Sequence, residues 1–104
     1  MEEMDRQGVR TVARWIVERT VVSLQWQGGY WLPMFQFRRP GLALRVGIAE
    51  PLEELRPVLD DWSIASWFSA PNGWLDGVMP CEAVAAAPRK VHEAARALRF
   101  VLRG

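Results

Sequence analysis

Residues 67–83 constrain the fold most, because they carry helix-stop, turn and helix-start signals in a fixed order. Pro71 disfavours helical geometry at Ala70, so a helix that carries the preceding residues is expected to stop there. Asn72-Gly73 accepts left-handed backbone angles and is expected to reverse the chain. Pro80 fits the first turn of a second helix, where its missing N–H is no loss. The segment therefore predicts a helix, a tight loop and another helix.

Two large apolar residues, Trp74 and Leu75, lie inside this predicted loop. One interpretation is that they close the gap between the flanking helices, as apolar loop residues often do. The other is that they anchor a partner protein. The two interpretations are compatible, and the sequence leaves both open.

Further helices are predicted on both sides of the loop. Glu50-Pro51 opens one helix that Pro57 ends or kinks. Asp60 or Asp61 caps the next helix, which carries Trp62, because a carboxylate can accept hydrogen bonds from the free N–H groups of a first turn. Pro88 opens the last helix. Its predicted inward face consists of Val91, Ala94, Ala95, Leu98 and Leu102.

The first half of the sequence predicts a helix followed by a β-hairpin. Apolar residues at helical spacing indicate an amphipathic first helix that ends near Arg19, with an inward face of Val9, Val12, Ala13, Ile16 and Val17. Residues 22–27 then alternate apolar with polar, and Gly28-Gly29 separates them from the aromatic run 30–32, which is a hairpin signal. Pro33 should end pairing of the second strand. A short third strand is expected over residues 42–46.

The predicted fold class is α+β, mainly α. With 104 residues, of which 50% are hydrophobic, the chain is expected to form a single domain over residues 1–104. Residues 1–49 form the helix and hairpin in this prediction, and residues 50–104 form a bundle of about four helices.

Composition limits the compartment and the chemistry. The net charge is +1, with acidic residues concentrated in the middle and arginines near both ends. The lone Cys81, the polar start of the sequence and the lack of a long apolar run predict a cytoplasmic protein without membrane insertion. Cys81 and the lone His92 have no visible catalytic or metal-binding partner, so we expect neither an enzyme nor a cofactor nor a metal.

One binding hypothesis concerns DNA. The predicted first helix and hairpin are flanked by arginines, as in part of a winged helix-turn-helix, where a helix enters the major groove and the hairpin contacts the backbone. The residues before Val9 are too few for the additional helix of a complete motif, so an alternative is that helix and hairpin only cover the core. The candidate DNA-binding residues are Arg14, Arg19, Arg38 and Arg39.

The second half resembles a known family. The matching residues are Leu55, Trp62, Trp67-Phe68, Pro71-Asn72, Leu75, Gly77, Pro80, Glu82-Ala83-Val84, Val91 and Ala95. This series resembles the toxin-binding domain shared by the Xre, MbcA and ParS antitoxins. Residues 30–37 (YWLPMFQF) are also similar to a segment that precedes this domain in some of these proteins.

The resemblance implies an antitoxin-like bacterial protein that binds a RES-type toxin, an NAD-consuming enzyme, and blocks its active site without a cofactor of its own. It also implies self-pairing, and six tryptophans in so short a chain predict exposed indoles that a homodimer would bury. The alternatives are a small DNA-binding regulator and an interaction domain without a toxin. The candidate toxin-binding residues are Trp67, Pro71, Asn72, Trp74, Leu75, Arg96, Arg99 and Arg103.

Overall fold

The computed structural model describes residues 6–38 and 43–103, and it confirms an α+β fold that is mainly helical. An N-terminal helix and a two-stranded hairpin precede four further helices. In chain order the elements are α1 (Arg6–Val17), β1 (Leu24–Trp26), β2 (Gly29–Trp31), a short 3-10 helix (Met34–Gln36), α2 (Ala49–Leu55), α3 (Asp61–Phe68), a second 3-10 helix (Gly73–Leu75), α4 (Pro80–Ala83) and α5 (Pro88–Arg103). The side chain of Val9, and Arg39 and Leu42 as a whole, lie outside the described residues.

Helix α1 ends with a left-handed residue that is not glycine. Arg19 has φ of 56°, and the N–H of Thr20 donates to the carbonyl of Trp15 at 2.8 Å, which satisfies an otherwise free carbonyl at the helix end. The predicted inward face of α1 is only partly correct. Val12 and Ile16 are half-buried, whereas Ala13 and Val17, which were also predicted to face inward, are exposed.

The hairpin forms as predicted, but its turn is shifted by one residue. Gly29 pairs with Trp26, so the connecting residues are Gln27 and Gly28 rather than Gly28-Gly29. Both have positive φ, 49° and 78°, which is the pattern of a type I′ turn. The twist of a type I′ turn matches the right-handed twist of the flanking strands. Strand β2 ends at Trp31, before Pro33, as expected.

The prediction of a third strand over residues 42–46 is wrong for residues 43–46, which the structure describes. Within 43–46 only Leu44 forms an isolated antiparallel bridge, with Phe37. Backbone hydrogen bonds flank the bridge, from the Arg38 N–H to the Ala43 carbonyl at 2.7 Å and from the Arg45 N–H to the Gln36 carbonyl at 2.9 Å, so the pairing is short rather than absent.

The side chain of Gln36 holds the chain just before β1. Gln36 is fully buried, its Oε1 accepts from the N–H of Val22 at 2.9 Å, and its Nε2 donates to the Val22 carbonyl at 2.9 Å. One amide side chain thereby satisfies both backbone groups of a buried residue that has no strand partner.

Helices α2 and α3 follow the predicted boundaries. Helix α2 ends at Leu55, before Pro57. Asp60 is the N-cap of α3, and its Oδ1 accepts from the N–H of Ser63 at 2.8 Å. This hydrogen bond to the charged form lowers the pKa of the Asp60 carboxyl.

The chain between α3 and α4 reverses at a different place from the one predicted. Asn72 is extended, with φ of −123°, and the left-handed residues are Asp76 and Gly77, with φ of 55° and 83°. The Asn72 carbonyl accepts from the N–H groups of Leu75 and Gly77 at 3.0 and 2.9 Å, and its own N–H donates to the Val78 carbonyl at 3.2 Å. Asn72 therefore holds both ends of the turn, and the reversal lies four residues after it.

The core joins the helices to the start of the hairpin segment. Leu102, predicted to face inward, is half-exposed because α5 extends beyond the elements that cover its first turns. The buried residues that form the core are Val22, Ile48, Leu52, Leu55, Ile64, Phe68, Leu75, Val84, Val91, Ala94 and Ala95.

Candidate functional site

A groove forms between the turn after α3 and one face of α5. Its volume is about 250 Å³. Residues Trp67, Pro71, Asn72, Gly73 and Trp74 form one wall, and Ala94, Ala97, Leu98 and Val101 form the other. We call this the tryptophan groove. It brings together four of the predicted toxin-binding residues, namely Trp67, Pro71, Asn72 and Trp74.

The turn presents Trp74 to solvent and Leu75 to the core. The Asn72 Oδ1 accepts from the N–H of Trp74 at 2.9 Å, which opens the short 3-10 helix at this point. Trp74 is 70% exposed, whereas Leu75 is 6% exposed and packs in the core. The prediction that Leu75 contacts a partner is therefore wrong. Leu75 fills the space between the helices, and of these two residues only Trp74 is accessible to a partner.

Trp67 connects the groove to the core. Its ring meets Phe68 edge-on at 5.0 Å, and Phe68 in turn stacks on Phe35 at 4.7 Å. Trp67 is partly buried, so one part of the indole packs against the core and the rest lines the groove. This packing fixes the groove wall in one position, which is what a preformed binding surface requires.

The predicted arginines line a second groove, which we call the arginine groove. Its volume is about 380 Å³, and Arg96, Arg99, Arg103, Phe100 and Glu54 line it. The two sets of α5 residues are offset by about half a turn, given 3.6 residues per turn. The predicted toxin-binding arginines therefore lie on another face of α5 from the predicted toxin-binding tryptophans, rather than around them.

Glu54 on α2 holds one end of the arginine groove. It accepts from Nη1 of Arg99 at 2.8 Å, and its Oε1 lies 3.2 Å from Nε2 of His92. The Arg99 hydrogen bond lowers the pKa of the Glu54 carboxyl, partial burial opposes this, and His92 reinforces it. Arg99 is thus used inside the molecule to link α5 to α2.

Arg96 and Arg103 differ from Arg99 in having no acidic partner among the residues that the structure describes. Phe100 lies between them on the same helix face and is 84% exposed. Sequence reasoning missed Phe100, although its position four residues after Arg96 and three before Arg103 was a usable signal. Two unpaired cations beside an exposed aromatic ring suit an acidic partner surface with an apolar contact.

The candidate DNA-binding arginines do not form one surface of free charges. Arg19 donates to Oδ1 of Asp61 at 2.8 Å, so its charge is paired within the molecule. Arg14 and Arg38 are exposed. Arg39 is outside the described residues, as noted above. The structure therefore leaves two exposed candidates, of which Arg14 lies on α1 and Arg38 follows the hairpin segment.

Sequence reasoning also missed an apolar cleft on the hairpin. Leu24, Trp26 and Trp31 lie on one face of the hairpin, and Trp62 from α3 lines the cleft with them. Its volume is about 450 Å³. The alternation in residues 22–27 signalled a common face for Leu24 and Trp26, but nothing local signalled the approach of α3. We call this the hairpin cleft.

Residues 6–38 and 43–103 contain neither a metal-binding cluster nor a membrane-spanning helix. This part of the chain has no group of three or more His, Cys, Asp or Glu residues placed to bind a metal ion. It also has no helix that combines the length and the apolar character needed to cross a bilayer. The chain matches no protein-family model, and no curated protein and no solved structure is significantly similar to it.

Proposed function

We propose that this chain is an antitoxin-like protein that binds a RES-type, NAD-consuming toxin and blocks its active site by steric exclusion. The proposal combines the sequence resemblance with two surface features of α5. The toxin contacts the tryptophan groove through an apolar segment, and acidic toxin residues meet the unpaired arginines. The antitoxin itself contributes no reacting group.

The observation that carries the proposal is the exposure of Trp74 from a turn with fixed geometry. Four hydrogen bonds made by Asn72 hold the turn, one of them to the N–H of Trp74. Because the backbone that carries Trp74 is held before binding, a partner that covers the indole has only the side chain left to order, which favours affinity. Trp74 lines the groove together with Trp67, Leu98 and Val101, and a contiguous apolar patch of this kind is typical of a binding site.

The arginine groove supports a contact with an acidic surface. Arg96 and Arg103 are free of acidic partners among the described residues, and they flank Phe100. Their charges accelerate association with an acidic partner and orient it, while apolar contacts supply most of the affinity. Because the two grooves lie on different faces of α5, the toxin surface would have to enclose the helix rather than cover one side of it.

The direct test is co-expression with a RES-type toxin, with growth, cellular NAD and co-purification as readouts. We expect the wild-type chain to restore growth and NAD. Trp74→Ala should weaken binding by roughly 30-fold or more, as expected for a central aromatic anchor worth about 2 kcal/mol. Trp31→Ala is the matched control, because this indole is also exposed but lies in the hairpin cleft.

A second pair of variants tests the arginines. Arg103→Glu should slow association and reduce co-purification, and Arg14→Glu, at an exposed position on α1, should not. The proposal fails if the wild-type chain neither binds such a toxin nor protects NAD. Binding without NAD protection would instead favour an interaction domain that is not an antitoxin. A third outcome would favour the DNA-binding regulator: the wild-type chain binds DNA with a steep salt dependence and does not bind the toxin, and Arg14→Glu loses the DNA affinity.

A further inference from the structure

The hairpin cleft is a built feature that the proposed function does not use. The pairing of Leu24 with Trp31 and of Trp26 with Gly29 places three large side chains on one face of the hairpin. Gln25 and Tyr30 occupy the opposite face and hydrogen-bond to each other at 2.8 Å. Because Gly29 has no side chain, the space opposite Trp26 stays open. The hairpin therefore separates an apolar face from a polar one.

A long-range contact completes the cleft. The Asp61 carboxylate accepts from the backbone N–H of Ser23 at 2.9 Å through Oδ2 and from Arg19 at 2.8 Å through Oδ1. These bonds join the first turn of α3 to the chain just before β1. They place Trp62, the next residue along, against the hairpin face. Arg19 and Asp61 are thus paired with each other, and the cleft itself is lined by apolar side chains.

We propose that the hairpin cleft is the self-association surface of this protein and that its occupant is the same cleft of a second copy. In a two-fold symmetric pair each surface meets itself, so an interface rich in one charge would repel its own copy. An uncharged face of indoles has no such penalty. The three tryptophans, Trp26, Trp31 and Trp62, are 57%, 60% and 52% exposed and become covered in the pair.

The exposed indoles supply about two thirds of the area that a small stable dimer requires. A large aromatic side chain offers about 250 Å² when fully accessible, so the three half-exposed indoles supply roughly 400 Å² from each copy. Two copies then bury about 800 Å² through indoles alone, against about 1,200 Å² for a small stable interface. Leu24, which lines the same cleft, and the strand edges beside the indoles add to this area in the proposed pair. Both strands have an unpaired edge, since the described residues form a two-stranded sheet.

Self-association is tested on the full chain by sedimentation velocity across a concentration series. The monomer mass is 11.9 kDa, and we expect the wild-type mass to approach twice this value as concentration rises. Trp26→Glu brings two carboxylates into the interface and should raise the dissociation constant by at least about tenfold. Trp74→Glu is the control, because Trp74 is exposed in the tryptophan groove, and it should associate like the wild type.

Circular dichroism establishes that each variant is folded. If Trp26→Glu does not fold, Trp62→Glu on the other wall replaces it, with the same expected loss of association. A wild-type mass of 11.9 kDa at every concentration overturns the proposal, even if the cleft then binds a proline-rich peptide or a nucleic acid. So does a dimer that Trp74→Glu disrupts and Trp26→Glu leaves intact. This test is independent of toxin binding. In a toxin-binding assay Trp74→Glu is the variant expected to lose binding, and Trp26→Glu is the control.

Discussion

The tryptophan groove and the hairpin cleft both expose indoles, but they are held in different ways. In the tryptophan groove, the turn that carries Trp74 is held by Asn72, whose hydrogen-bond partners all lie within six residues of it. In the hairpin cleft, Trp62 is positioned by Asp61, whose partners Ser23 and Arg19 lie 38 and 42 residues away. One surface is thus determined locally, and the other depends on tertiary contacts.

This difference indicates how the two surfaces should respond to damage. A local turn keeps its shape as long as the two helices beside it are formed. The hairpin has only six residues in strands and is too small to be stable alone, so it needs the contacts that attach it to the helices. Mutations at those contacts should remove the hairpin cleft while the tryptophan groove remains.

The largest effect is expected for Gln36→Leu. The substitution keeps the volume but removes both hydrogen bonds to Val22, whose N–H and carbonyl then stay buried and unpaired. Each unpaired buried group costs about 1–3 kcal/mol, so we expect the free energy of unfolding to fall by about 2–5 kcal/mol in urea titrations. Self-association should be lost as well, because the chain leading into the hairpin is no longer held.

The control for this prediction is Gln25→Leu. Gln25 is a glutamine in β1 whose bond to the Tyr30 hydroxyl is exposed, so the expected change is less than about 0.5 kcal/mol. If Gln36→Leu unfolds at the wild-type urea concentration, the attachment of the hairpin does not depend on this side chain, and the contrast between the two surfaces is lost.

Leu75→Ala should have the next largest effect and should damage the tryptophan groove from beneath. Leu75 is 6% exposed and packs in the core, so truncation leaves a cavity and costs about 2–4 kcal/mol. Trp74→Ala, one residue earlier but exposed, should change stability by less than about 0.5 kcal/mol. Chemical denaturation of the two variants compares their free energies of unfolding. Similar losses in both would refute the assignment of Leu75 to the core and of Trp74 to the binding surface.

The pH dependence of stability tests the contact between α5 and α2 that Glu54 and Arg99 form. The pKa of Glu54 is lowered below its ordinary value of 4.5, chiefly by the Arg99 hydrogen bond. A group with a lowered folded pKa contributes stability that is present above 4.5 and is lost as the pH falls through the folded pKa. Glu54→Gln should therefore cost about 0.5–1 kcal/mol at pH 7 and almost nothing in acid.

The neighbouring glutamate provides the control. Glu53 is exposed and makes no ion pair in the part of the chain that the structure describes. Glu53→Gln should leave the pH profile of unfolding unchanged. A stability difference between Glu54→Gln and wild type that persists at a pH well below the folded pKa of Glu54 would show that Glu54 acts by packing rather than by its charge.

The same contrast explains what the sequence could and could not predict. Helix boundaries were correct where a proline or a capping aspartate marks them, as at Pro57, Asp60 and Pro80, because these signals act within a few residues. The reversal after α3 was misplaced because Asn72 uses its carbonyl and side chain as acceptors instead of adopting left-handed angles.

Predictions failed most at the surfaces made by distant residues. Helical spacing showed that Arg96, Arg99 and Arg103 share a face, but it could not show which face of α5 packs beside the turn. Likewise, alternation placed Leu24 and Trp26 together, whereas the approach of Trp62 depends on the bond from Asp61 to Ser23. Pairings over some 40 residues leave no periodic trace in a single sequence.

The smallest effect, and the only stabilising one, is expected for Gln27→Asn in the hairpin turn. Gln27 has φ of 49°, which strains most side chains but suits asparagine, and Asn-Gly is the preferred pair for a type I′ turn. We expect a gain of about 0.5 kcal/mol in the free energy of unfolding, together with slightly tighter self-association. Gln25→Asn, within β1, should give no gain because strands disfavour asparagine. If the turn variant stabilises the chain without affecting self-association, the hairpin is already fully formed in the monomer, and the hairpin cleft is as preorganised as the tryptophan groove.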